Sequence, residues 1–360
     1  MMEITGVHFN QVDYQKEVLT PLIQEQETLR LEISKILQLN KNQSLDNDTD
    51  IIWDFYSAGY KPIRLSMEHL KEVRNEAVVY NLLYRYKKNR QFLNQYGLSL
   101  LNRLDNQNCL HGHWSTDTAT GRLKCRSPAL QAFPSCVSQY FTASPGFVRI
   151  IGDYSHIDLR VLAQLSGDPT LIQAFNDNVD VHLQTARAIF RKDLSLITDT
   201  ERQIGKKINF GIIYGMTSYS LWKAIRKVNP DLTLQDATRY RDNFFSTYEG
   251  VTRWQNKVLT AEIVHGLNGL TWSSFPSLNC RLNYPIQGST SAGLKLALIL
   301  LYKNLRPDWY ISHTVHDNLH LTVPERDSEL GKIYLEHSMI NGMRYLIKDL
   351  PVTVKTEIKY

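Results

Sequence analysis

RQIGKKINFGIIYG, residues Arg202 to Gly215, sets Arg202, Lys206, Phe210 and Tyr214 at every fourth position. If the run is helical, the four side chains share one slowly drifting face. At a rise of about 1.5 Å per residue that face is roughly 18 Å long. Its N-terminal end carries two cations and its C-terminal end two aromatic rings. A nucleoside triphosphate divides the same way, with phosphates that want fixed positive charge and a base that wants a flat apolar surface. A helix N-terminus adds partial positive charge and free N–H groups at the phosphate end. An arbitrary RxxxKxxxF usually marks an amphipathic helix with its rings in a core. Gly205 and Gly211 argue against that here, because each costs roughly 1 kcal/mol relative to Ala inside a helix. Gly211, directly after Phe210, suggests close backbone approach, and Gly215 suits a helix end.

Working outward, 360 residues suffice for two or three subdomains. A net charge of +5 and a pI of about 8.8 allow a polyanionic partner without demanding one. Cys109, Cys125, Cys136 and Cys280 form no CxxC pair and no zinc spacing. They read as reduced thiols of an intracellular, cytoplasmic protein. The start, MMEITGVHFN, is neither a secretory signal nor a transit peptide. No apolar run approaches the roughly 20 residues needed to span a bilayer, so no membrane partner is expected.

Residues 14–38 read as one amphipathic helix through Val18, Leu22, Leu29, Ile33 and Ile36. Pro21 must kink or restart it, with Thr20 as a cap. A second helical stretch follows Ser66. Its Arg85, Lys87, Lys88 and Arg90, interleaved with Tyr84 and Tyr86, suit either a phosphate backbone or a solvated face. Pro145-Gly146 is a turn, and Phe147 to Ile151 is a buried strand ending at Gly152-Asp153. Residues 168–271 are mostly helical, and another helix follows Pro285 over about 286–304. Two strands then flank a two-residue turn at Asp317-Asn318.

Asp153 ends the first strand and Asp317 sits at that turn. Asp favours both positions for conformational reasons alone. Two carboxylates converging on a cleft can also hold two Mg²⁺ ions through hard oxygen ligands. A metal pair roughly 4 Å apart can activate a 3′-hydroxyl and stabilise leaving pyrophosphate.

Asp153-Tyr154-Ser155-His156-Ile157-Asp158-Leu159-Arg160 resembles motif A of family A DNA polymerases, the bacterial DNA polymerase I type. The Arg202–Gly215 run resembles their motif B, and Val315-His316-Asp317-Asn318 their motif C. Thr118 to Leu123 with Pro128, Leu130, Gln131 and Pro134 resembles the template-primer segment. Asp180-Val181-His182 resembles the fingers His motif, and Asn283 to Gly288 the segment before motif C. The six matches fall in order over nearly the whole chain, and Met2 to Asp13 resembles the point where the polymerase module begins.

The resemblance implies an α+β right hand: a helical thumb (1–105 with its lead-in), a palm with a mixed or antiparallel sheet (106–167 and 272–360) and helical fingers (168–271). It implies a monomeric, template-directed DNA polymerase acting on primer-template DNA and dNTPs with two Mg²⁺ ions, Mn²⁺ being able to substitute. Asp153, Asp317 and the backbone carbonyl of Tyr154 become metal ligands. Arg202, Lys206 and His182 contact the triphosphate, with Lys206 also a proton donor to pyrophosphate. Phe210 stacks on the incoming nucleotide, and Tyr214 guards the template position. Arg122, Gln131, Asn283, Gln287 and His316 hold the primer-template.

Departures from the pattern shape the expectation. Asp158 stands where the family has Glu as a steric gate against the 2′-hydroxyl, so looser sugar discrimination is expected. Asn318 stands where motif C usually ends in Glu, which weakens the second metal. The segment after Pro134 and the thumb look abbreviated, which implies low processivity and short-tract synthesis in repair, lesion bypass or a small replicon. A start at the polymerase module implies no 3′–5′ exonuclease and no proofreading. Two other readings stay open: a polymerase that inserts ribonucleotides or copies RNA, and a catalytically weak scaffold that binds nucleic acid.

Overall fold

Phe147–Tyr154 (β1) is apolar at alternate positions, with Val148, Ile150 and Tyr154 buried, as a half-buried strand requires. In the computed structural model it lies inside a four-stranded antiparallel sheet with Tyr310–Val315 (β2), Asn318–Pro324 (β3) and Val354–Lys359 (β4), in the order β4-β1-β3-β2. Residues 1–40 and 43–359 are described. Lys41 and Asn42, in the expected thumb, and Tyr360, in the expected second palm segment, lie outside them. The observed sheet is antiparallel throughout.

The β2–β3 hairpin pairs Val315 with Asn318. The turn residues are therefore His316-Asp317, one place earlier than the sequence suggests. His316 has φ +55°, the left-handed backbone that two-residue hairpin turns demand.

Helices Ile157–Ser166 (α1), Val181–Phe190 (α2), Asp199–Ile213 (α3), Leu278–Lys303 (α4) and Ser328–Arg344 (α5) complete the site's surroundings. Between α3 and α4 the chain forms three more helices, Ser218–Ile225, Leu234–Thr247 and Glu249–Thr260. One face of the sheet packs on α5. A Cβ on Gly152 would stand 2.5 Å from Met339 Sδ, and one on Gly331 would stand 2.7 Å from Ile150. The apolar side chains there are nearly all fully buried, each contributing about 1.5–3 kcal/mol. α4 starts at Leu278, capped by Ser277 Oγ, and carries Pro285 inside it. The expected start after Pro285 is therefore eight residues late. Pro285 is itself buried, and Ser289 Oγ donates to its carbonyl at 2.6 Å.

Contacts group the chain into two units: residues Met1–Thr5, Gly112–Ala132 and 143 onward, and residues Gly6–His111 with Phe133–Thr142. The second unit is helical, built from Thr20–Leu37, Asp48–Ser57, Met67–Val73 and Val78–Tyr96 around Ile33, Leu37, Phe55, Leu70 and Leu83. The first helical stretch begins at Gln11 and runs through a π-turn at Gln15–Leu19. That turn accommodates the N–H that Pro21 lacks. Thr20 is accordingly helical rather than a cap. Ser66 does cap Met67–Val73, accepting from His69 N. Three of the four basic residues singled out on Val78–Tyr96 are ion-paired within the unit: Arg85 with Glu25 at 2.5 Å, Lys87 with Asp48, and Arg90 with Asp46. Those pairs engage these three cations within the unit, and Lys88 has no such pair among the described residues.

Candidate active site

α3 presents its stripe as the spacing predicts. Arg202, Lys206, Phe210 and Tyr214 line one cleft of about 900 Å³. Tyr214 is the residue that closes the helix, and Gly215 follows with φ +68°. The N-terminus of α3 is closed by a capping box between Thr198 and Glu201. The box engages one amide of the first turn, that of Glu201, and the side chains of Arg202 and Lys206 line the cleft beyond it. Close backbone approach occurs at Gly205, where a Cβ would meet the His182 carbonyl at 2.5 Å. At Gly211 the neighbour is instead the side chain of Met216.

α2 is fastened to α3 by Asp180. One of its carboxylate oxygens caps α2 through the amides of His182 and Leu183, at 2.8 and 3.1 Å. The other accepts from Arg202 Nε at 2.8 Å and Nη2 at 2.6 Å. Burial works to raise the Asp180 carboxyl, but Arg202 and the two amides overcome it and hold it below the usual range. His182 is 1% exposed and bonds Asn209 Nδ2 through Nδ1 at 3.0 Å, while Nε2 has no partner among the described residues. Its ring meets His156 edge-on at 4.7 Å. Burial, then His156, pushes the His182 imidazole down to about 4.

Across the cleft stand the two aspartates. Asp153 on β1 is the register partner of Asn318 on β3 and of Lys355 on β4. Asp317 occupies the adjacent hairpin turn. Burial, then the charge of Asp153, pushes Asp317 up to about 6. Burial also raises Asp153, against the pull of Lys355. Neither carboxylate has a salt-bridge partner within 4.0 Å among the described residues. Two acids that burial makes reluctant to ionise, one of them further raised by the other's charge, form a donor set suited to a hard cation. Tyr154 is 2% exposed and its hydroxyl donates to the Met339 carbonyl at 2.6 Å. Only its backbone is available to such a cation. No cluster of three or more His, Cys, Asp or Glu suited to a metal occurs among the described residues.

Asp158, in the first turn of α1, receives hydrogen bonds on both oxygens, from Thr290 Oγ1 at 2.7 Å and from Tyr214 Oη. Arg122 lies 3.9 Å away. Burial, then the Asp158 charge, raises the Tyr214 phenol well above its ordinary value. Arg160, one turn along α1, is 4% exposed. Its guanidinium donates to the Ser155 carbonyl at 2.9 Å, to the Pro351 carbonyl and to Thr353 Oγ1 at 3.0 Å, and lies over Phe175.

The cleft thus gathers Arg122, Asp153, Tyr154, Asp158, His182, Arg202, Lys206, Phe210, Tyr214, His316 and Asp317. Gln131, Asn283 and Gln287 are not among its lining residues. Gln131 Oε1 accepts from the Cys125 amide at 3.1 Å, and Asn283 and Gln287 sit one turn apart on α4. Lys355, Asp180, Thr290 and Arg160 escape the sequence reading as site residues. Asp180 alone had a signal, as an Asp directly before a helical run. The other three depend on strand register and tertiary contact.

Comparison with known proteins bears on the family and the fold. The family described as DNA polymerase family A matches residues 22–268. DNA polymerase I of Aquifex aeolicus is 32% identical over 249 residues, covering 66% of this chain and 43% of that protein. DNA polymerase I of Caldicellulosiruptor bescii is 30% identical over 321 residues, covering 81% and 36%. The chain therefore spans less than half the length of these relatives. A solved structure described as the POL domain of Pol1 from M. smegmatis, in complex with DNA primer-template and dNTP, has a similar fold. It has a TM-score of 0.79 and 20% identity over 99% of this chain and 67% of that one.

Proposed function

This chain belongs to DNA polymerase family A, and on that premise we propose that it is a template-directed DNA polymerase extending a primer 3′ end with dNTPs. One observation carries the reading: the carboxylate pair Asp153 and Asp317 shares a cleft with the stripe Arg202, Lys206, Phe210 and Tyr214. Phosphoryl transfer is largely positioning and charge neutralisation, and these residues divide that work.

Lys206 and Arg202 neutralise the triphosphate, and Asp180 holds the Arg202 fork in place. Lys206 is exposed on the cleft side of α3, free to give a proton to departing pyrophosphate. His182, neutral at pH 7, offers its unpartnered Nε2 as a hydrogen-bonding group to a phosphate oxygen. Phe210, 38% exposed, offers a ring for the base, and Tyr214 closes the same wall. Asp153, Asp317 and the Tyr154 carbonyl would hold two Mg²⁺ ions, which when bound activate the 3′-hydroxyl and stabilise the leaving group. Arg122, His316, Gln131, Asn283 and Gln287 grip the primer-template. Asn283 and Gln287 lie one turn apart on α4, an arrangement that suits acceptors along a minor groove.

The helical unit serves as the thumb, the antiparallel sheet with α4 and α5 as the palm, and residues 168–271 as the fingers. Synthesis is short-tract and without proofreading by this chain. A labelled, mispaired primer terminus incubated without dNTPs should yield no released mononucleotide. The decisive experiment is extension of a matched primer on DNA and on RNA templates, with dNTPs or rNTPs. Extension on DNA with dNTPs should fall more than about 100-fold in Asp317→Ala. No extension under any condition would leave only a nucleic-acid-binding role.

Asp158 favours a second reading of specificity. Thr290 and Tyr214 hold both its oxygens, and the side chain is one methylene shorter than Glu. A gate one methylene shorter supports ribonucleotide insertion above the usual level, with the two hydrogen bonds keeping what gate there is in position.

A further inference from the structure

α4 and α5 border a second cavity, of about 640 Å³, none of whose lining residues belongs to the cleft just described. Arg344, in the last turn of α5, and Lys348 beyond it both line this cavity. Neither side chain makes an ion pair or hydrogen bond among the described residues. No Asp or Glu lines it. The acids nearest in sequence are occupied elsewhere: Glu336 accepts from Thr356 Oγ1 at 2.5 Å, and Asp349 from Gln164 Nε2 at 2.7 Å. Two cations in one concavity with no counter-anion call for an anionic ligand.

The rest of the lining combines two tyrosines and two asparagines with Leu300, Ile333, His337 and Ser338. Tyr345 is 61% exposed, and Tyr334 is set by edge contact with Trp309 at 5.5 Å. Asn304 and Asn341 add two carboxamides. The volume lies within the usual range for a small-molecule site. We propose that this cavity is a second nucleotide site, taking a nucleoside phosphate. Its phosphates lie on Arg344 and Lys348, its base stacks on the tyrosines, and an Asn amide reads the base edge. Each element matches a general preference: cations for phosphate, rings for any base face, and a bidentate amide for a purine edge. An acidic peptide would want a longer apolar track than Leu300 and Ile333 provide.

The site is independent of the polymerase reading, and the test keeps the two apart. Equilibrium dialysis of the full chain with labelled dATP and Mg²⁺, without primer-template, should show two equivalents bound. Arg344→Ala with Lys348→Ala should lose one equivalent, weakening it at least tenfold, with primer extension and thermal midpoint unchanged. Arg202→Ala with Lys206→Ala should lose the other. If the double variant at Arg344 and Lys348 folds poorly, Tyr345→Ser, at an exposed position, should weaken the same equivalent. One equivalent in the wild type overturns the proposal, as does retention of both in the Arg344 and Lys348 variant. Inorganic triphosphate bound at this site as tightly as dATP overturns the nucleotide assignment.

Discussion

Asp153 and Asn318 face each other as register partners across β1 and β3. A neutral amide thus stands beside one of the two carboxylates best placed to hold a cation. Restoring a negative charge there should tighten divalent-cation binding on the order of tenfold, given the strength of a charge pair at contact distance. Asn318→Glu is expected to lower the Mg²⁺ concentration giving half-maximal extension. It should also enlarge the rise in thermal midpoint that Mg²⁺ produces without DNA.

The tether on Asp158 should be measurable as sugar selectivity. Tyr214→Phe removes the hydroxyl that donates to its carboxylate, a charged hydrogen bond worth about 1.5–3 kcal/mol. A freed Asp158 wanders from its gate position. The ratio of kcat/KM for dNTP over rNTP should fall, by roughly tenfold, in single-nucleotide insertion. Asp158→Glu should move the ratio the other way, because a longer side chain reaches further into the cleft.

His320 is 7% exposed and packs against His313 with ring centroids 3.9 Å apart and planes tilted by 33°, and neither of its ring nitrogens has a partner among the described residues. Burial, then His313, holds its imidazole well below the ordinary value. Burial likewise pushes His313 down to about 3. Groups with a lowered folded pKa bind fewer protons folded than unfolded. Their effect is absent above the ordinary value near 6.5, and stability is lost as pH falls below it. His320→Leu should therefore raise stability by about 1–3 kcal/mol at pH 7, by removing an unsatisfied buried group. The gain should grow at pH 5, as read by urea unfolding at both pH values.

Arg160 joins the first turn of α1 to residues 351–353 through two acceptors, the Pro351 carbonyl and Thr353 Oγ1, and donates to a third, the Ser155 carbonyl. Arg160→Met fills a similar volume but strands those acceptors, at about 1–3 kcal/mol each where they stay dry. A loss of about 3 kcal/mol in unfolding free energy is expected, together with reduced extension. Little loss of either would show that water replaces the guanidinium.

Much of this site was legible because its chemistry is written in local spacing. The fourfold repeat from Arg202 to Tyr214 needed only the helical period, and it lands on one cleft wall. Asp153 at a strand end and Asp317 in a hairpin turn follow from alternation and turn composition. What resisted reading depends on partners distant in sequence. Lys355 reaches Asp153 only through the pairing of β4 with β1, and Thr290 reaches Asp158 from 132 residues away. The hairpin turn was misplaced by one residue because a left-handed His is rarer than a left-handed Asn. Pro285 reads locally as a helix start, whereas α4 begins at the Ser277 cap and runs through it. Arg85, Lys87 and Arg90 look unengaged in the sequence until Glu25, Asp48 and Asp46 are seen beside them.

The strand order β4-β1-β3-β2 has a temporal consequence. β1 carries Asp153, yet both of its neighbours come from segments more than 160 residues further along the chain. Until residue 359 has left the ribosome, one edge of β1 stays bare, and bare strand edges recruit other chains. Synthesis thus exposes the acid-bearing strand early and shields it last, so contact order rather than stability governs how safely the site forms. Translation that stalls before residue 354 would leave a product with most of its core and an open strand, prone to aggregate rather than to act as a partial enzyme.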